Sequence, residues 1–168
     1  MFAPANQPRF TLTIDGVPNE LKVLEFTGTE AISQPYRFDL ELVSERPDIE
    51  LESLLHRQAF LSFDAQGSGV HGQVFRVGQS DSGQRLTGYQ ISLVPRLAYL
   101  GQRINQRIFQ HKSVPAIITQ VLKDHGIQRD AFEFRFGSDY PAREYCVQYA
   151  ESDLALSLIH ISEPTRPY

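Results

Sequence analysis

A strict alternation of apolar and polar residues is the feature that most restricts the fold of this 168-residue chain. From Tyr36 to Leu42, apolar side chains take every second position and charged side chains the positions between. This period of two places the apolar residues on one face of a half-buried β-strand. Further strand-like segments lie at 10–14, 61–65, 70–77 and 86–94. With one short helix at 49–55 among them, they predict a mainly β fold with some α, built on a small antiparallel tube-like β-barrel.

The pattern changes after Pro95. Apolar residues between Val114 and Leu122 recur at helical spacing. Ser113 precedes them as an N-cap, and Gly126 follows as a stop. Alternating segments at 132–136 and 145–149 predict two more strands. We therefore expect a second, α+β domain to open here.

Charge and cysteine content exclude several classes of protein. The net charge is −4, whereas binding to a phosphate backbone needs a basic surface, so nucleic acid is not an expected partner. The single cysteine, Cys146, excludes an internal disulfide framework and a multi-cysteine zinc site. The first residues have neither a basic nor an apolar stretch of the secretory type, so we expect synthesis and folding in the cytosol.

The motifs that could indicate a catalytic or ligand-binding site are better explained as parts of the fold. Residues 67–72 read G-x-G-x-x-G, but a β-branched and aromatic segment follows them where a dinucleotide site needs a helix. Four histidines outside the last residues show no paired metal-ligand spacing: His56, His71, His111 and His125. Cys146 alternates with apolar neighbours and is best explained as a packed thiol. We expect that this chain is not an enzyme and binds no cofactor or metal. The remote alternative is a hydrolase that uses His71 or Cys146.

Several segments, in order between residues 9 and 155, resemble the N-terminal part of the VgrG family, the spike proteins of bacterial type VI secretion. The segments are 10–16, 26–38, 71–74, 93–97, 107–110, 113–118 and 144–154. The positions that carry the resemblance, all expected to be structural, are Gly28, Tyr36, Phe38, Gly72, Pro95, Arg96, Arg107, Phe109, Gln110, Tyr145, Gln148, Tyr149, Glu151, Ser152 and Asp153.

The resemblance implies a mechanical role. Members of this family are homotrimers that cap the hexameric Hcp inner tube, carry a PAAR-type tip and effectors, and are translocated without a signal peptide. A membrane enters only as the target that the family's C-terminal parts puncture. By the same resemblance, residues 1–98 form a first tail-tube-like barrel and residues 99–155 begin a second, interrupting domain. The alternative is the hub of a contractile phage or phage-like tail (late control protein D), which shares these motifs.

Residues 156–168 do not continue the preceding pattern. Ser152 or Asp153 can cap a new helix, but Pro164 and Pro167 follow closely. The family continues here into a glutamate-rich helix. The run from Leu156 to Arg166 instead resembles one reading frame of a sequencing-library adapter. We therefore expect these residues to be adapter-derived; a genuine amphipathic C-terminus is the alternative.

Overall fold

A computed structural model describes residues 10–64, 66–83, 85–135 and 139–162 of the chain, without the side chains of 81, 82 and 159–162. The described residues up to Pro95, apart from 32–34, form a first compact unit, and those from Arg96 onward, together with 32–34, form a second. In the described part, no helix is long and apolar enough to cross a membrane.

The first unit is a six-stranded sheet. Its strands, in chain order, are β1 (Thr11–Ile14), β2 (Lys22–Ala31), β3 (Gln34–Ser44), β4 (Gln58–Ser62), β5 (Gly69–Ser82) and β6 (Thr87–Val94). Their spatial order is β1-β4-β5-β6-β3-β2, with a 3-10 turn at Leu51–Leu54 between β3 and β4. This confirms the predicted fold class.

The sheet curls into an antiparallel half-barrel. Its outermost strands are β1 and β2, yet the ring of Phe10, next to β1, lies 5.0 Å from the ring of Phe26 in β2. Phe26 also stacks on Phe63, which follows β4, at 5.5 Å. Aromatic contacts therefore draw the two edges of the sheet towards each other around one core.

The alternation in β3 places its apolar side chains on the buried face, as predicted. Phe38, Leu40 and Leu42 are buried, and Leu40 faces the buried Ile91 of β6 across the ladder. Tyr89 completes this row with its ring fully buried and its hydroxyl donating to the Arg46 carbonyl at 2.7 Å. The apolar face lines the core, and the charged face points outward.

The second unit contains a two-stranded antiparallel sheet and two α-helices. In chain order it has a 3-10 segment (Arg96–Gln102), β7 (Ile104–Lys112), α1 (Val114–Asp124), a 3-10 turn (Arg129–Ala131), β8 (Arg143–Ser152) and α2 (Asp153–Ser162). β7 pairs with β8. The core of this unit includes Leu100, Phe109, Leu156 and the apolar face of α1.

The predicted α1 is confirmed, with two refinements. Ser113 occupies the N-cap position, but its side chain makes no capping hydrogen bond. Gly126 follows the helix with φ of +70°, a conformation that glycine adopts without strain.

One predicted strand is wrong. Residues 132–135 are irregular, and Phe136 lies outside the described residues. Phe132 and Phe134 instead pack their rings against each other at 5.2 Å and against the second core, under the guanidinium of Arg129. The alternation of Phe132 and Phe134 therefore reflects side-chain packing against the second core.

The segment after Ala155 continues as helix. α2 begins at Asp153 as predicted, and Ser152 caps it by accepting the Ala155 backbone N–H at 3.0 Å. Leu156 and Ser157 are buried, at 2% and 0% exposure. The adapter origin of residues 156–168 stays a prediction, which sequencing the genomic locus across codon 155 would test.

Candidate functional site

The motif positions in the first unit hold close packing between strands. An added Cβ at Gly28 in β2 would lie 2.4 Å from Cε1 of Phe38 in β3. At Gly72 in β5 it would lie 2.8 Å from the Val94 carbonyl oxygen. The Tyr36 hydroxyl donates to the His71 carbonyl, joining β3 to β5. These residues therefore hold strands of the half-barrel close together.

The G-x-G-x-x-G segment is a β-connection, as predicted. Gly67 lies in a turn with φ of +91°, and β5 begins at Gly69. A Cβ at Gly69 would overlap the Leu61 carbonyl oxygen at 2.2 Å. The glycines permit a close strand approach, and the segment precedes a strand where a dinucleotide site has a helix.

In the second unit, motif residues converge on one buried carboxylate. We call Asn105, Arg107, His125, Gln148 and Asp153 the Asp153 cluster. Asp153 is fully buried, at 0% exposure. Its Oδ1 accepts from an Arg107 guanidinium nitrogen at 2.6 Å and from Gln148 Nε2 at 2.8 Å. Asn105 Nδ2 lies 2.9 Å from Oδ1, and His125 Nε2 lies 2.8 Å from Oδ2.

The partners of Asp153 are themselves held in place. Arg107 donates to Gln148 Oε1 at 2.8 Å and to Asp124 Oδ2 at 3.0 Å. Gln148, 1% exposed, also donates to the Glu151 carbonyl at 3.1 Å. The Asp153 backbone N–H donates to the Arg103 carbonyl at 3.0 Å. The buried charge is thus paired and hydrogen-bonded, which is the condition for keeping an ion inside a protein.

The network keeps Asp153 ionised. Desolvation by burial raises the pKa of its carboxyl group, but hydrogen bonds from Gln148, Asn105 and His125 and the positive charge of Arg107 lower it. The balance places the pKa below its ordinary value. Ionised Asp153 also stands in the first turn of α2, where a negative charge suits the helix dipole.

The cluster binds four elements together. β7 supplies Asn105 and Arg107, the C-terminal end of α1 supplies His125, β8 supplies Gln148, and α2 begins with Asp153. His125 follows α1 directly, and its ring nitrogen bonds Asp153. The carboxylate is fully buried, and the side chains that bond it belong to its own unit, so the arrangement is suited to holding the fold together.

The remaining motif positions divide between core and surface. Pro95 and Arg96 join β6 to the 3-10 segment, and an added Cβ at Gly126 would lie 3.2 Å from the Arg96 guanidinium. Phe109 is buried under the guanidinium of Arg107. The outward side chains are Gln110, Tyr145 and Tyr149.

The outward residues belong to a surface that the sequence analysis did not identify. On the solvent side of the β7–β8 sheet, Ile108 lies opposite Val147. Both are exposed, as are Ile104, Tyr145 and Tyr149. We call this side the outer face of the β7–β8 sheet. The signal for it was present in β7, where Ile104 precedes Asn105 and Ile108 follows Arg107.

The candidates for chemistry occupy structural positions. Cys146 is half-buried against the second core, and the His71 ring lies 4.5 Å from that of Phe60. Within the described ranges, no group of three or more His, Cys, Asp or Glu residues could hold a metal ion.

Comparison with known proteins identifies the family to which this chain belongs. The family model of the phage tail baseplate hub (GPD) matches residues 29–157. The chain belongs to this family. The type VI secretion system spike protein VgrG4b of Pseudomonas aeruginosa is 60% identical over 154 residues, which are 92% of this chain and 19% of that protein. The predicted resemblance to VgrG spike proteins is confirmed.

Solved structures of other proteins match the fold of this chain. The E. coli c3393 protein, described as a type VI secretion component similar to the T4 phage tail proteins gp27 and gp5, matches with a TM-score of 0.82 and 32% identity. The match covers 91% of this chain and 43% of that one. The 43 kDa tail protein of prophage MuSo2 from Shewanella oneidensis has a TM-score of 0.67 at 14% identity, covering 91% of this chain and 47% of that protein, and shares the fold. The chain spans about a fifth of the length of its curated spike relative.

Proposed function

We propose that this chain forms the base of a trimeric VgrG spike that caps the inner tube of a type VI secretion machine and delivers effectors by puncturing target cells. The observation that carries this proposal is the 60% identity to a VgrG spike protein over 92% of the chain. The curled half-barrel, with its TM-score of 0.82 to a type VI component, supports it independently.

The internal chemistry supports a mechanical part over a catalyst. Among the described residues, three ionisable side chains, Arg107, His125 and Asp153, belong to the Asp153 cluster, whose members bond one another. The motif glycines and aromatics set strand packing. A part that transmits force needs rigid junctions of this kind. We accordingly assign no catalytic role to His71 or Cys146.

The partners follow from the proposed role. The intact protein is a homotrimer that contacts the Hcp tube hexamer at its base and carries a PAAR-type tip and effectors. It assembles in the cytoplasm and leaves by type VI secretion without a signal peptide. It has no nucleic-acid partner, and it meets a membrane as the target of puncture.

We also propose that residues 1–98 are the first tail-tube-like barrel and that residues 99–155 open the interrupting domain. Support comes from the first compact unit, which ends at Pro95 and holds a half-barrel core of its own. The second unit has a separate core built on α1.

Deletion of the gene in its own bacterium tests the function. The proposal predicts that Hcp no longer appears in the culture medium, although its level in the cells is unchanged, and that the intact gene supplied in trans restores release. The gene with Asp153→Ala should restore less than the gene with Asp124→Asn. Undiminished Hcp release from the deletion strain would contradict the proposal.

The second candidate is the hub of a contractile phage tail. The family description and the fold shared with the MuSo2 tail protein favour it. This candidate predicts that the deletion leaves Hcp release intact but stops production of infectious or contractile tail particles. Electron microscopy of particles from the same deletion strain distinguishes the two.

A further inference from the structure

A β-bulge interrupts the ladder between β7 and β8 shortly before α2 begins. Gln106 pairs with Tyr149. The residue before it, Asn105, pairs with Glu151, so the ladder passes over Ala150. Ala150 has φ of +48°, in the left-handed region that glycine adopts freely and alanine does not. Glycine is the usual residue in a bulge of this form, so the structure around Ala150 must hold it there.

The bulge changes which residues of the chain face the core of the second unit. Before the bulge, the inward residues of β8 have even numbers: Cys146 packs against that core, and Gln148 is 1% exposed. After the bulge, the fully buried side chain is that of Asp153, which has an odd number. Because side chains alternate between the two faces of a strand, one extra residue moves the inward positions from even to odd numbers.

The backbone beyond the bulge keeps the shifted register. The Asp153 N–H donates to the Arg103 carbonyl at 3.0 Å, which continues the shifted pairing. A ladder without the bulge would bring Ser152 to Arg103, and Asp153 would point to the outer face of the β7–β8 sheet. Gln148 spans the bulge, since its Nε2 donates to the Glu151 carbonyl at 3.1 Å.

We propose that Ala150 is the positioning residue of the Asp153 cluster. Its left-handed bulge turns Asp153 from the outer face of the sheet to the buried side, where Arg107 bonds it. The bonds of 2.6 to 2.9 Å that the carboxylate makes there offset the strain at Ala150. The inference concerns how the second unit is built, so it does not depend on whether the chain belongs to a spike or to a phage tail hub.

Ala150→Gly tests the strain. Glycine adopts φ of +48° without a penalty from Cβ, so this variant should lower the equilibrium constant for unfolding of the second unit about 3-fold. The matched control is Ala116→Gly, at an exposed position of α1. There glycine only adds freedom to the unfolded chain and should raise the same constant about 3-fold. Urea unfolding followed by circular dichroism at the helical minimum measures both variants.

Ala150→Val tests the positioning. Valine is branched at Cβ and strongly disfavoured in the left-handed region, so the bulge should be lost, and Asp153 with it from the cluster. The unfolding constant should rise about 10-fold or more. Acid should also destabilise this variant less steeply than the unsubstituted chain, because protonation of Asp153 then removes no bonds. The ionisable groups that bond Asp153, namely Arg107 and His125, are the same in all of these chains.

The dependence on pH separates positioning from strain, because strain alone lowers stability equally at every pH. We expect Ala150→Gly to keep the acid loss of the unsubstituted chain at higher stability throughout, and Ala150→Val to show a flatter loss. The inference is overturned if Ala150→Gly is no more stable than the unsubstituted chain, or if Ala150→Val loses stability in acid as steeply as that chain. If Ala150→Val does not fold, Ala150→Gly decides alone.

Discussion

Replacing Asp153 by alanine removes the acceptor at the centre of the Asp153 cluster. Arg107, Asn105, Gln148 and His125 would each lose a bond of 2.6 to 2.9 Å to a carboxylate that is 0% exposed. The Arg107 side chain is 22% exposed and so cannot move fully into water. We therefore expect the variant to lower the free energy of unfolding of the second unit.

The size of the effect follows from what is left behind. Removing one partner of a buried ion pair costs about 3–5 kcal/mol, because an uncompensated charge remains inside. Arg107 keeps its bonds to Asp124 and Gln148, so we expect the middle of this range, about 4 kcal/mol. The control is Asp124→Asn, which weakens a half-exposed ion pair and should cost about 0–1 kcal/mol.

Urea unfolding followed by circular dichroism at the helical minimum measures both variants. Both α-helices of the described residues lie in the second unit, so this signal reports on that unit. The midpoint should fall much further for Asp153→Ala than for Asp124→Asn. Equal midpoints for the two variants would show that the Asp153 cluster does not hold the second unit together.

Three further outcomes are expected. Gly72→Ala should destabilise the first unit by about 1–3 kcal/mol, whereas Gly78→Ala in the same strand, with open space at its Cβ, should stay within about 0.5 kcal/mol; hydrogen exchange of β5 and β6 compares them. Tyr36→Phe should cost about 1 kcal/mol in the same assay, because the bond to the His71 carbonyl is lost. Because the pKa of Asp153 is lower in the folded state than in the unfolded state, its contribution to stability is complete above about pH 4 and is lost as the pH falls through the folded pKa. Thermal melts at decreasing pH should show this loss in the unsubstituted chain and not in Asp153→Asn.

A specific result would contradict each of these predictions. If the amide hydrogens of β5 and β6 exchange at the same rate in Gly72→Ala and Gly78→Ala, the close approach of these two strands does not contribute to stability. If Tyr36→Phe changes nothing, the hydroxyl contributes nothing net. If Asp153→Asn loses stability in acid as steeply as the unsubstituted chain, other carboxylates cause the acid sensitivity.

Local pattern was sufficient for much of the first unit. β3 was predictable because Phe38 and Leu40 alternate with charged residues, and one face is buried and the other solvated. β2 was missed because it is an exposed strand, interrupted by Gly28, with little apolar alternation to read. A strand at the edge of a sheet has no strict need for an apolar face.

The second unit shows where local pattern is insufficient. β7 was missed since its pattern is inverted: exposed Ile108 points outward while Arg107 points to the buried side. Asp153 is bonded to His125, Arg107 and Asn105, which lie 28, 46 and 48 positions away from it in the chain. Spacing of this kind carries no periodic signal, so only tertiary structure brings the Asp153 cluster together. The resemblance to VgrG identified three of its members, Arg107, Gln148 and Asp153, but gave no physical reason for them.

Native mass spectrometry of the intact gene product, co-expressed with the Hcp protein of the same bacterium, tests whether the protein is the base of a spike. We expect a complex of three spike chains on one Hcp hexamer, in which the threefold base matches the sixfold tube. A spike chain that remains monomeric, or a trimer that ignores Hcp at every ratio, would contradict it.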